Sequence, residues 1–260
     1  MHVYNETMIE TYLDTIAQSR SGLATPPRTP ISILLDFSGS MHLYQKKAEQ
    51  VVQAITTQML GINRRVFTLV IILIYNGQSE VVYLGDLHAF DIEQWLTSLP
   101  EKCYGKSPLA TSIKAADQLL SRVKSACDLS GQICTVPFYF VISDALTTEN
   151  PPIYQQIIRK LSDDLVNHAK IIIECVRTDV QNGLDFGGYR LALDGPKTLS
   201  QVSRCIRAMR QASSTEAAAT KEMSGQVIRP HKQDREAYGR YLSEVLIANM
   251  MFFFSQNREG

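Results

Sequence analysis

The sequence has no surplus of either charge: 26 Lys and Arg stand against 26 Asp and Glu. Capturing nucleic acid or anionic lipid over a whole surface needs an excess of cations, so neither is expected as a global function, although a local patch remains open. Disulfide patterning is lacking too. The cysteines, Cys103, Cys127, Cys134, Cys175 and Cys205, are odd in number and include no C-x-x-C pair, which predicts reduced thiols and a cytoplasmic location. The histidines are scattered, and none lies three to five residues from another His or a Cys, so a zinc site is not expected. Long apolar runs are absent. Val66–Tyr75 and Val245–Phe254 both fall short of the about 20 residues needed to cross a bilayer. MHVYNETMIETYL has no basic stretch followed by an apolar one, so no secretory leader is expected. There is no internal repeat, no G-x-x-x-x-G-K-[ST] phosphate loop and no G-x-S-x-G elbow.

What the chain does have is an apolar fraction of 45%, ample for a folded core and too high for a disordered protein. Met8, Ile9, Tyr12, Leu13 and Ile16 recur at helical spacing within residues 1–22. Pro26, Pro27 and Pro30 then predict an extended linker. From Ile31, apolar runs alternate with helical patterns. ISILLDF, VFTLVIILIY, PFYFVIS and KIIIECV read as buried strands, and Val81–Leu84 as a short strand after an Asn76-Gly77 turn. Helices are predicted around Ala48–Leu60, at Ile92–Leu99 with Trp95 in the core, and at Pro108–Lys124, Ile153–Leu165 and Leu199–Met209. The alternation predicts an α/β doubly wound, mostly parallel sheet with one antiparallel edge strand and helices on both faces. The expected organisation is an N-terminal helix and linker (1–30), the α/β domain (31–211) and a C-terminal extension (212–260).

The first strand ends in Asp36-Phe37-Ser38-Gly39-Ser40-Met41. Three oxygen side chains at alternate positions converge beyond the strand end, and Gly39 permits a tight turn there. Such donors, without nitrogen or sulfur, suit Mg²⁺, Mn²⁺ or Ca²⁺. Serines at a strand–helix junction also cap helices, so capping is the competing reading of the same residues.

ISILLDFSGSM resembles the opening strand and first metal loop of a von Willebrand factor type A (VWA) domain, whose metal-ion-dependent adhesion site (MIDAS) holds a divalent cation. The family's D-x-S-x-S is followed by a Thr and, after an apolar strand, an Asp. FYFVISDALTTEN supplies Asp144, with Ala145 where the family often has Gly; Ser107-Pro108-Leu109 supplies Ser107 in place of Thr. Thr111 lies beyond Pro108, inside the predicted helix. The resemblance covers roughly residues 31–210 in element order. It implies a metal site of Asp36, Ser38, Ser40, Ser107 and Asp144. Ser38 and Ser40 would be direct ligands, joined by Ser107 in the ligand-bound state, while Asp36 and Asp144 hold metal-bound waters. An Asp or Glu from a protein partner would complete the shell. Cytosolic bacterial members, such as tellurium-resistance-associated proteins and partners of AAA+ ATPases, are the resemblance's nearest group; a kinase or phosphatase is a further partner class. An adaptor, not an enzyme, is therefore expected.

Two other classes compete. Haloacid-dehalogenase-like phosphotransferases also begin with Asp at the end of a first strand, but in D-x-D; here Ser38 replaces the second carboxylate and removes the general acid/base. Extracellular adhesion is the other, and neither a leader nor a disulfide pattern points to it. Towards the C-terminus, segment 201–240 carries eight Lys or Arg and four acids, a net +4 offset by −4 elsewhere. That segment reads as a solvated helix face, with an acidic docking partner as the alternative. Glu236–Phe254 reads as an apolar helix, packed on the domain or buried against a second subunit or partner.

Overall fold

A computed structural model describes residues 5–19, 26–62, 66–135, 137–168, 171–176, 189–193, 195 and 197–212. The C-terminal readings, including Cys205 as a side chain and the apolar helix at Glu236–Phe254, lie outside what is described. The strands are β1 (Arg28–Asp36), β2 (Val66–Tyr75), β3 (Gln78–Asp86), β4 (Phe138–Ile142), β5 (Ile171–Val176) and β6 (Tyr189–Ala192). They form one six-stranded sheet in the order β3-β2-β1-β4-β5-β6. Only β3 is antiparallel to its neighbour; every other pair is parallel. The helices are α1 (Glu6–Gln18), α2 (Gln45–Leu60), α3 (Ile92–Ser98), α4 (Leu109–Ser130), α5 (Pro151–His168) and α6 (Thr198–Ala212).

The sheet is buried on both faces, which is why β1 and β2 are apolar without alternation. Ile31, Ile33 and Leu35 point to the layer containing Val51, Val52 and Ile55 of α2 and Ile206 of α6. Leu34, Val70 and Ile72 point to the opposite layer, with Leu109, Ile113 and Leu120 of α4. Ile9, Leu13 and Ile16 of α1 join that second layer. Trp95 is buried as expected, beside Phe90 at 5.8 Å between ring centroids. The Asn76-Gly77 turn is a two-residue hairpin with φ of 53° and 77°, the left-handed pair that a type I′ turn demands.

Three sequence readings change. The strand opens at Arg28, so Pro30 belongs to β1 and not to a linker. Arg28 exchanges backbone bonds with Ile133 and Thr135, while the β1–β4 ladder starts only at Ile31 opposite Phe138. Pro30 shares Arg28's backbone phase and falls in the gap before that ladder, where a missing N–H is tolerated. Secondly, β6 carries no sequence signal because four residues are too few for a period to show. Thirdly, α4 runs on to Ser130, where Gly131 (φ 71°) closes the helix in the left-handed conformation.

From β1 the chain builds β2 and β3 to one side, then crosses to β4 on the other. The reversal of strand order falls between β1 and β4. Crevices at such points, beyond the carboxyl ends of the strands, are where doubly wound sheets bind ligands.

Candidate functional site

At the carboxyl ends of β1 and β4 lie Asp36 and Asp144, and Ser107 and Ser38 bond to Asp36 there. Asp36 is the last residue of β1 and is fully buried. Its Oδ1 accepts the Ser38 backbone N–H at 2.9 Å. Its Oδ2 accepts the Ser107 hydroxyl at 2.9 Å and the Ser143 hydroxyl at 2.7 Å. Burial pushes the Asp36 carboxyl pKa up, opposed by the hydrogen bonds from Ser143, Ser38 and Ser107. The Ser38 and Ser40 hydroxyl oxygens lie 3.3 Å apart, Ser38 buried and Ser40 exposed at the mouth. Ser38 precedes a short 3-10 turn, Gly39–Leu43, but its side chain makes no capping bond to it. The capping alternative therefore fails for this residue.

Asp144, two residues beyond β4, is also fully buried. Its Oδ1 accepts the Leu146 N–H at 3.0 Å, whereas its Oδ2 is buried with no hydrogen-bond partner among the described residues. A buried carboxylate oxygen without a partner is costly, and a cation or a cation-bound water would satisfy it. Among the described residues no group of three or more His, Cys, Asp and Glu is gathered as a metal site. The donor set here is different in kind: two carboxylates and three hydroxyls, all hard oxygen, fitting Mg²⁺, Mn²⁺ or Ca²⁺.

Three loops hold these residues. Tyr104 N–H donates to the Phe37 carbonyl at 2.8 Å, and Gly39 N–H to the Gly105 carbonyl at 3.0 Å. Asn76 and Gly77 donate to the carbonyls of Tyr104 and Lys106 at 3.0 and 3.1 Å. Gly105 (φ 82°) is obligatory in this stack, because a Cβ there would come within 2.5 Å of the Asn76 Cα. After β4, Ala145 adopts φ 61°, a left-handed conformation that glycine would adopt without a Cβ penalty.

Sequence reasoning missed two parts of the site. Ser143 is one: it bonds Asp36 and accepts the Ala145 N–H at 2.9 Å. A single hydroxyl at a strand end carries no pattern that singles it out. The other is Thr147-Thr148-Glu149, which grips Ser107 and the start of α4. Thr111, set aside from the sequence, contacts none of the site oxygens and instead bonds Glu149.

The loops that bear the candidate ligands also carry exposed large apolar side chains. Leu43 is 75%, Tyr104 61% and Leu146 50% exposed, one from each loop bearing a candidate ligand. Among the described residues no helix is long and apolar enough to cross a membrane.

No family model matches the sequence, and no curated protein matches it either. Solved structures do match in fold. The VWA domain of SpRpn10 superposes with a TM-score of 0.45 at 16% identity, covering 69% of this chain and 94% of that one. Manganese-loaded TRAP of Plasmodium vivax gives 0.43 at 15%, covering 56% and 57%. A von Willebrand factor type A protein from Catenulispora acidiphila gives 0.50 at 12%, covering 71% of this chain and 42% of that one. The Catenulispora structure and the strand order described above together show a VWA-like α/β fold.

Proposed function

We propose that this chain is a divalent-cation-dependent protein interaction module that captures a partner's carboxylate at a MIDAS-type site. The observation that carries the reading is a set of buried oxygens at the strand ends: Asp36 bonded by Ser107 and Ser38, Ser38 beside Ser40, and Asp144, whose buried Oδ2 has no hydrogen-bond partner among the described residues. Ser38, Ser40 and Ser107 would offer hydroxyl ligands, and Asp36 and Asp144 would hold its waters. A cation with mostly neutral direct ligands supplies an under-neutralised positive charge, which favours an incoming Asp or Glu. Mg²⁺ is the expected ion, with Mn²⁺ or Ca²⁺ as alternatives; TRAP, a protein of similar fold, is manganese-loaded.

The partner class is protein: Leu43, Tyr104 and Leu146, each in a loop that bears or adjoins a candidate ligand, are exposed apolar or aromatic side chains of the kind used in protein contacts. Catalysis is not proposed. Ser38 stands where a phosphotransferase of this outline needs its second carboxylate. The setting we favour is an adaptor in a bacterial cytoplasmic complex, with an AAA+ ATPase or a kinase or phosphatase as partner class. Cys103, Cys127, Cys134 and Cys175 as thiols support a reducing compartment.

Titration calorimetry with MgCl₂ tests the site. One binding event is expected for the wild type and none for Asp36→Ala, with matching far-UV circular dichroism. Panning a random peptide library in Mg²⁺ then tests the ligand class. Recovered peptides are expected to share an Asp or Glu and to be released by EDTA. Peptides without an acid in common, or equal retention by Asp36→Ala, would sink the reading.

A further inference from the structure

Ser107 is held by more than its hydroxyl. Its N–H donates to Thr148 Oγ1 at 3.1 Å. Its carbonyl accepts both the Thr148 N–H at 3.0 Å and the Thr147 hydroxyl at 3.1 Å. The Thr147 hydroxyl also reaches Glu149 Oε2 at 3.0 Å. Glu149 in turn accepts the Ala110 and Thr111 N–H groups, each at 2.7 Å, and the Thr111 hydroxyl. Those amides belong to the first turn of α4, whose N-terminal residue Pro108 makes no side-chain cap. The carboxylate thus supplies a cap from a different loop, where negative charge is favoured by the helix dipole. One segment, Thr147-Thr148-Glu149, therefore fixes the backbone on both sides of the Ser107 side chain.

We propose that Glu149 is a positioning residue for the cation: through Thr147 and the first-turn amides of α4, and alongside its neighbour Thr148, it locks Ser107 so that the hydroxyl stays aimed at Asp36. The proposal rests on the metal-site reading above. Serine lacks the methyl group that would restrict its χ1, so its direction depends on the backbone that carries it. Backbone contacts from Gly77 to Lys106 and from Ser112 to Pro108 flank the residue, but among the described contacts the only side chains that bond Ser107's own N–H and carbonyl, or the Ala110 and Thr111 amides, are those of this clamp. The clamp also ties the loop bearing Asp144 to the loop bearing Ser107.

The test is a double-mutant cycle on Mn²⁺ affinity, read by titration calorimetry on the full chain. The variants are Glu149→Gln, Ser107→Ala and the two combined; Gln keeps the shape but cannot accept from both α4 amides. Residues that orient metal ligands typically change affinity by about 10-fold or more when altered. Glu149→Gln is expected to weaken Mn²⁺ binding by about 10-fold in the wild type and by less than about 2-fold in Ser107→Ala. Thr148→Val, which removes the acceptor for the Ser107 N–H, is expected to behave alike and serves if Glu149→Gln lowers solubility. Unchanged affinity in both Glu149→Gln and Thr148→Val overturns the proposal. An equal loss in the presence and absence of the Ser107 hydroxyl also overturns it. Failure of the wild type to bind Mn²⁺ at all is a different outcome, and it removes the metal-site reading together with this one.

Discussion

Asp144→Asn separates a metal site from a merely buried carboxylate, because the substitution changes sign with the cation. In the wild type, Asp144 is 0% exposed and its Oδ2 has no partner among the described residues. An unsatisfied buried polar group costs about 1–3 kcal/mol, and more when it is charged. Asparagine keeps the oxygen that accepts the Leu146 N–H and removes the charge from the orphaned position. In EDTA, the variant is expected to be more stable than the wild type by about 1–2 kcal/mol. For a folded unit of this size, each kcal/mol moves the midpoint by about 2–4 °C, so the rise is about 2–8 °C. Added Mg²⁺ at 100 times its dissociation constant stabilises a binding-competent chain by about 2.7 kcal/mol. The wild type gains that increment, whereas the variant gains little, so the order of the two midpoints reverses. Differential scanning fluorimetry in EDTA and across a MgCl₂ series reads both effects. A variant less stable than the wild type in EDTA would refute the account of the orphaned oxygen. A wild-type midpoint indifferent to Mg²⁺ would refute the role assigned to it.

Three further outcomes follow from the same geometry. Ala145 sits at φ 61°, where a Cβ costs about 1–2 kcal/mol, so Ala145→Gly is expected to stabilise by about 0.5–1 kcal/mol after the extra unfolded-state entropy of glycine; urea denaturation checks this, and a loss of stability contradicts it. Burial raises the folded pKa of Asp36, so its contribution to stability declines as pH rises through that pKa; the metal-free wild type should therefore gain stability relative to Asp36→Asn as pH falls through it, while Mg²⁺ affinity declines over the same window, and parallel pH profiles for the two proteins would contradict this. The Cys103 thiol is pushed up to about 12 by burial and then by the charges of Asp36, Glu49 and Asp144, so a cation that offsets two of those carboxylates should lower it and speed iodoacetamide alkylation of Cys103 at pH 8.5, as followed by peptide mass spectrometry; an unchanged or slower rate with Mg²⁺ counts against a cation in the crevice.

The fold was legible because its strong elements carry strong patterns. VFTLVIILIY admits no reading except a central strand, and Asn76-Gly77 specifies a hairpin through the backbone angles only such residues adopt readily. What escaped was short or set by the tertiary structure. Tyr189–Ala192 is a strand only because β5 offers an edge to pair with. Pro30 belongs to a strand only because the neighbouring ladder has not begun at its position.

The candidate site divides along the same line. Asp36, Ser38 and Ser40 are adjacent in sequence, and a strand end turns their spacing into convergence, so a local pattern suffices. Ser107 and Asp144 needed the order of elements, which the apolar runs supplied. Ser143 and Glu149 had neither kind of signal. Ser143 differs from any other strand-end serine only in that its hydroxyl meets Asp36, 107 positions away in the chain. Glu149 reads as one more polar loop residue until α4 starts above it with uncapped amides. Residues that could donate to a cation are thus visible one at a time, from chemistry and spacing. Residues that aim those donors are visible only once the loops are side by side, because their role is defined by the partner and not by their own type. For that reason the sequence supports a statement about which ion is suited to this crevice, whereas how firmly Ser107 is held there is a property of the assembled loops.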